Sequence, residues 1–360
     1  AGATSSNTRG LFAGGGAPGD IDVIQYITIS STGDTTDFGD LVAAKNSTSS
    51  NSSSTRAVFM GSHSPAVVKV IDTVEIATLG DAVNFGDLTV ARGDCASASN
   101  SIRALCIGGT IGGGNVSDVI DYVTIASAGH AIDFGDMSVG DTPNSMGLPA
   151  HGGIDLDTIQ RPSVTYMPGS GRGFYSGGDT GSMVNVIELF HIPTLGNASD
   201  FGDLMNITAN GPGGASNYTR AFHIGGNGPS AIQDDIQSFE MASKGNAADF
   251  GDISSDTYGM NQGSINSLTR AVFGGGYVAP GLVDVVEYFT MGTAGDAADF
   301  GNLATATQHT AGASSSTRGL VMGGSTPGVI DVIQYITIAS TGNTTDFGDL
   351  TDERSHSCGV

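Results

Sequence analysis

The chain has 360 residues, 39% of them hydrophobic, with a mean hydropathy of +0.04, which suits a folded chain rather than a disordered one. Its 13 basic and 36 acidic residues give a net charge of −23, which repels phosphate backbones and anionic lipid surfaces and argues against nucleic acid or membrane as a partner. No apolar run approaches the roughly 20 residues of a membrane-spanning helix.

Along the chain one phrase recurs. "TRGLFAGGG" at 8–16 returns as near-copies led by Arg56, Arg103, Arg172, Arg220, Arg270 and Arg318, so that with Arg9 the spacings are 47, 47, 69, 48, 50 and 48 residues. Each of the seven units opens with a Ser/Ala/Gly-rich stretch and passes through the arginine phrase to a glycine cluster. The clusters lack the Lys-Ser/Thr of a phosphate loop and are read as turns that need positive φ. A run such as "DVIQYITI" (22–29) follows, with Ile24 and Tyr26 on one face of a period-2 strand and Val23, Ile27 and Ile29 on the other. The unit closes on "DFGDL" (37–41) or an equivalent. No unit carries a helical period.

A sheet of about 48 residues that is apolar on both faces cannot cover itself, but seven of them packed around an axis cover one another. The expected fold is therefore all-β: one domain over 1–360, a seven-bladed propeller with four-stranded antiparallel blades. The spacing of 69 predicts an insertion near 138–170, between blades three and four. The first residues, "AGATSSNTRG", repeat "AGASSSTRG" (311–319), so the tail "TDERSHSCGV" (351–360) is expected to latch onto blade one and close the ring.

"GLFAGG" (10–15), Tyr26, and Phe38 with Leu41 stand where kelch repeats place a double glycine, a tyrosine, and an aromatic with a leucine, so the chain resembles a kelch-type propeller. The departure is Phe where kelch repeats carry Trp, of which the chain has none. The wording "TRGLVMGG…IDVIQYITIASTGNTTDFGDL" also resembles repeats of virion or tail-appendage proteins of marine tailed phages. That resemblance implies a non-enzymatic structural or recognition module on the particle surface, part of a symmetric oligomeric assembly and binding other virion proteins or a host surface glycan. The alternative is a secreted lectin-like propeller or a kelch-fold oxidase, which would need Tyr, Cys and His gathered at the axis.

In an up-and-down blade the arginine, at the start of strand two, and the aspartates before strand four share one rim. Arg9, Arg56, Arg103, Arg172, Arg220, Arg270 and Arg318 are expected to act as clamps on carboxylates or turn carbonyls. The carboxylates on offer are Asp37, Asp40, Asp133, Asp136, Asp200, Asp203, Asp249, Asp252, Asp299, Asp346 and Asp349. They belong to a three-residue spacing: Asp34/Asp37/Asp40, Asp81/Asn84/Asp87, His130/Asp133/Asp136, Asn197/Asp200/Asp203, Asn246/Asp249/Asp252, Asp296/Asp299/Asn302 and Asn343/Asp346/Asp349. Oxygen-rich turns hold calcium in other proteins, but these residue types also close tight turns by bonding their own backbone. Turn chemistry, with no cofactor, is the expectation and calcium the alternative.

No catalytic residue is expected, and the histidines show no metal-ligand spacing. The insertion offers His151, Asp155, Asp157, Arg161 and Tyr166 as a recognition loop. Cys95 and Cys106 flank a turn and are expected as unpaired small residues.

Overall fold

Blade one shows how a repeat folds. In the computed structural model, which describes residues 2–6, 8–16, 19–63, 65–141, 147–149, 171–179, 182–194, 196–208, 211–260, 265–315 and 317–354, it forms four antiparallel strands paired in chain order: Gly2–Ser5, Arg9–Ala13, Val23–Thr28 and Thr36–Asp40. The β-branched and aromatic run of strand three suits a pleated surface buried on both sides. The glycine pair after strand two takes the positive φ that its turn requires, 64° at Gly14 and 121° at Gly15. The same plan recurs six more times, giving a seven-bladed propeller.

Each blade buries its faces against its neighbours. Leu11, Ile24, Phe38 and Leu41 of blade one pack with Ala57, Phe59, Val74 and Ile76 of blade two. Equivalent clusters fill the other seams, and the last joins Leu320, Ile333 and Phe347 of blade seven to Ala3, Phe12 and Ile27 of blade one. Innermost strands are made of small residues because seven of them converge, and their polar groups bond across blades. Thr4 Oγ1 donates to Ser52 Oγ (2.8 Å), Ser50 Oγ to Ala3 O (2.7 Å) and Asn266 Nδ2 to Ser216 O (3.0 Å). Thr4, Ser50, Asn51, Ser99, Ser216 and Asn266 are all buried, so the axis is packed rather than open along them.

Two expectations are corrected. The insertion does not lie between blades three and four. The outer strand of blade three, Ile132–Asp141, runs into the expected loop, and Gly147–Pro149 pairs with Arg172–Ser176 as the first strand of blade four. The extra residues thus join strands one and two of blade four, where "GLP" lacks the Ser/Ala signature of other first strands. Second, ring closure uses no latch strand. Blade one has four strands of its own, and the tail as far as Arg354 belongs to the outer strand of blade seven, Thr345–Arg354, with Arg354 opposite Ile330. Residues 355–360 lie outside the described residues. Closure instead repeats the ordinary seam: Gly33 N donates to Phe347 O (2.6 Å) and Thr35 N to Asp349 O (2.7 Å), as Gly80 N does to Phe38 O and Ala82 N to Asp40 O.

Candidate functional site

The seven arginines stand at one rim, each at the start of strand two. Six donate an Nη1 proton to a carbonyl of the next blade, just past its strand three: Arg9 to Ile76 (2.7 Å), Arg56 to Ile125 (3.0 Å), Arg103 to Ile192 (2.7 Å), Arg172 to Met241, Arg270 to Ile338 (2.8 Å) and Arg318 to Ile29 (2.9 Å). A carbonyl left free by the ladder takes a charged donor, a bond stronger than a neutral one.

Strand-three tyrosines, four of them, support the guanidinium groups. Arg9, Arg103, Arg270 and Arg318 lie over Tyr26, Tyr122, Tyr288 and Tyr335 at 4.7, 4.6, 4.2 and 4.5 Å, a cation–π contact of about 0.5–1 kcal/mol at such sites. Behind three of them Phe38, Phe300 and Phe347 meet the rings of Tyr26, Tyr288 and Tyr335 edge-on, and Phe134 meets Tyr122 in the same way. Blades two and five have Thr73 and Ser238 in the tyrosine's place. There the residue opposite the arginine in register is Glu75 or Glu240, and the ion pairs Arg56–Glu75 and Arg220–Glu240 replace the ring. Arg220 lies over Phe250 at 5.6 Å.

The recurring aspartates are not the arginines' partners, which corrects the expected pairing. The first position of each triad is an acceptor that caps the preceding blade: Asp40 N donates to Asp81 Oδ1 (3.1 Å), Asp87 N to His130 Nδ1 (3.2 Å), Asp136 N to Asn197 Oδ1 (3.1 Å), and the series closes with Asp349 N to Asp34 Oδ1 (3.3 Å). Asp, Asn and neutral His all accept a hydrogen bond, which is why they interchange here. The second position faces its own turn, Gly39 N donating to Asp37 Oδ1 (3.2 Å) and Gly251 N to Asp249 Oδ1 (3.0 Å). Asp133, Asp200, Asp299 and Asp346 occupy that position in their blades, as Asp203 occupies the third in blade four. At the third position, partial burial and a neighbouring aspartate raise the carboxyls of Asp40, Asp136, Asp252 and Asp349, the neighbours being Asp22, Asp118, Asp234 and Asp331.

The triads therefore do not converge on a calcium ion. Among the described residues the carboxylates that do gather are Asp234, Asp235 and Asp252, their oxygens within 4.8 Å of one another, and only Asp252 belongs to the expected spacing. His151, Asp155, Asp157, Arg161 and Tyr166 lie outside the described residues. Their connection leaves from Pro149 and returns at Gly171, next to Arg172, and so belongs to the arginine rim. Exposed apolar side chains stand on that rim too, Leu79 and Ile102. Cys95 and Cys106 are free thiols.

Sequence reasoning missed one ring of residues. In the third strand, the residue after the second apolar position of "DVI" is Gln25, Asp72, Asp121, Glu188, Gln237, Glu287 or Gln334, and all seven are buried, at 7% exposure or less. Five accept the N–H that follows the strand-four Leu, Ile or Met of the preceding blade: Thr89 N to Asp121 Oδ2 (3.0 Å), Ser138 N to Glu188 Oε1 (2.6 Å), Met205 N to Gln237 Oε1 (2.6 Å), Ser254 N to Glu287 Oε1 (3.0 Å) and Ala304 N to Gln334 Oε1 (2.7 Å). Where this residue is aspartate, a buried cation neutralises it: Lys45 Nζ lies 2.9 Å from Asp72 and Arg92 Nη2 2.9 Å from Asp121. The signal was present as a polar residue fixed at one place in an apolar run.

His223 is a further buried polar group at the rim opposite the arginines. Its Nδ1 lies 3.1 Å from Ser176 Oγ and its Nε2 2.7 Å from Thr208 Oγ1, partners that satisfy a neutral ring. Burial pushes its pKa down to about 4. The unfolded chain takes the proton near pH 6.5, so His223's contribution to stability is full above that pH and is lost as pH falls toward 4, by about 3 kcal/mol in all. Denaturant titrations between pH 7 and 4 should show this slope in the native chain and a flatter one in His223→Gln; equal slopes would refute it.

No family model matches the chain, and no curated protein matches it. Among solved structures the chain is similar to YjhT, at 12% identity over 82% of this chain and 96% of that one, with a TM-score of 0.56. That likeness is one of fold: this chain is a seven-bladed β-propeller.

Proposed function

We propose that the chain is a non-enzymatic structural and recognition module of a kelch-like kind, carried on the surface of a phage virion as part of a tail fibre or capsid-attached appendage. It binds a neighbouring virion protein or a host surface glycan through the arginine rim. The observation that carries this reading is the 150–170 connection, which interrupts a regular seven-fold rim on the side where Leu79 and Ile102 are exposed. Long connections that break a regular scaffold are where binding residues concentrate. The packed axis supports the same reading, because the described inner strands bring hydroxyls and amides together there rather than the Tyr, Cys and His of an oxidase.

The test is glycan-array binding by the full chain and by a variant lacking 151–169, together with antibody labelling of native particles. Saturable binding lost on deletion, with label at the appendage, is expected. Binding unchanged by the deletion, particles without label, or stoichiometric copper with oxidase turnover would overturn it.

A further inference from the structure

The linkers between blades repeat one more device, on the rim away from the arginines. The fourth residue after the strand-four Leu or Ile is Lys45, Arg92, Thr208, Thr257 or Thr307, and its carbonyl always takes an N–H from the glycine turn: from Gly15 (2.9 Å), Ser62 (3.1 Å), Gly178 (3.1 Å), Gly226 (3.0 Å) and Gly276 (2.7 Å). These are equivalent positions, and each faces the buried strand-three residue of the next blade. The pairs are Lys45 with Asp72, Arg92 with Asp121, Thr208 with Gln237, Thr307 with Gln334, and Thr257 with Glu287. Four of the five are balanced in charge, cation with carboxylate or neutral with neutral. The fifth sets a neutral threonine against a carboxylate.

Thr257 does not serve as the missing partner, since its hydroxyl donates to Ser255 O (2.7 Å). Instead, a cavity of about 30 Å³ adjoins Glu287, lined also by Ser254, Thr257, Phe273, Val283 and Val285. One water needs roughly 10–15 Å³ of such space. The cavity lies where Arg92 places its guanidinium in the sister seam. Arg92 there donates to Val119 O (2.7 Å) and Cys106 O (3.1 Å) besides pairing with Asp121. By repeat position the counterparts of those two carbonyls are Val285 O and Phe273 O, and both residues line the cavity. Ser254 holds Glu287 through its N–H (3.0 Å) as Thr89 holds Asp121. Every part of the cation seat is present except the cation, and Val285, 36% exposed, marks where the cavity meets the surface.

We infer that this cavity between blades five and six binds a primary ammonium group, with Glu287 as counter-ion and the carbonyls of Val285 and Phe273 taking its remaining N–H donors. The group arrives either as a free ammonium ion or as the end of an alkyl amine such as a lysine side chain. The inference is independent of the arginine rim and of the virion reading.

Thermal unfolding of the full chain at pH 7.5 and constant ionic strength tests it, with sodium chloride replaced stepwise by ammonium, n-butylammonium or tetramethylammonium chloride. A saturable rise in Tm of about 2–3 °C is expected with ammonium. The same rise with butylammonium identifies an amine-tipped side chain as a fitting ligand, and a rise with ammonium alone identifies the free ion. Glu287→Gln, which recreates the neutral pairs of blades five and seven and should fold as they do, is expected to lose the response. Thr257→Lys supplies the cation from within, as Lys45 does, and should lose it also. Equal shifts with tetramethylammonium, equal shifts in Glu287→Gln, or no shift with any amine would overturn the assignment.

Discussion

Replacing Arg92 by leucine is expected to cost about 3–5 kcal/mol, the range for removing one partner of a buried ion pair, and to lower Tm by roughly 5 °C in a chain of this size. Both side chains are fully buried. Arg92 also donates to the carbonyls of Val119 and Cys106, while Thr89 holds both oxygens of Asp121, through N–H (3.0 Å) and hydroxyl (2.7 Å). The leucine would leave a charged carboxylate with only one residue's donors and no counter-charge. A second variant tells whether charge or volume is responsible. Arg92→Thr with Asp121→Gln copies the Thr208–Gln237 and Thr307–Gln334 pairs, and should recover most of the loss, to within about 1–2 kcal/mol of the native chain. Equilibrium denaturation of the native chain and the two variants measures this. A single substitution costing under 1 kcal/mol, or a double variant no better than Arg92→Leu, would show that this seam does not depend on charge balance.

Repetition made the architecture legible. Seven arginines about 48 residues apart, each followed by glycines and a β-branched run, specify number, length and strand order together. The rim shared by Arg9 and Asp37 follows from that order. Partners within the rim were harder to read, because an aspartate closes its own turn, caps the neighbouring blade or pairs with a guanidinium using the same atoms, and only relative blade position decides. Gln25 and its equivalents were hidden for another reason. On a period-2 strand a lone polar residue reads as the solvent side, whereas here the next blade covers that side and the polar atom meets a neighbour's N–H. Lys45 and Arg92 were invisible as buried cations because their acceptors come from the following repeat. The insertion was misplaced by one strand because Gly147–Pro149 takes its pairing from register with Arg172–Ser176 and not from its composition.

Gly39→Ala and Gly80→Ala are expected to differ sharply although the two residues share a backbone conformation, φ +144° and +148°. Any side chain there is strained by about 1–3 kcal/mol. At Gly80 the strain is the whole effect, since an added Cβ meets nothing within 4 Å. At Gly39 the same atom would fall 2.5 Å from the carbonyl carbon and oxygen of Gly80 and 2.8 Å from Asp81 N. These are backbone atoms of the next blade, held by Gly80 N to Phe38 O (2.8 Å) and Ala82 N to Asp40 O (2.7 Å), and no rotamer change relieves the contact. Gly39→Ala should therefore cost at least about 2 kcal/mol more than Gly80→Ala, overpacking being added to strain. It should also speed hydrogen exchange at the amides of Gly80 and Ala82, which Gly80→Ala leaves slow at Ala82. Denaturant midpoints and exchange rates of the two variants decide the matter: equal losses would mean that the blades separate by a few tenths of an ångström without penalty, and that the close approach of strand four to the following turn is not what joins one repeat to the next.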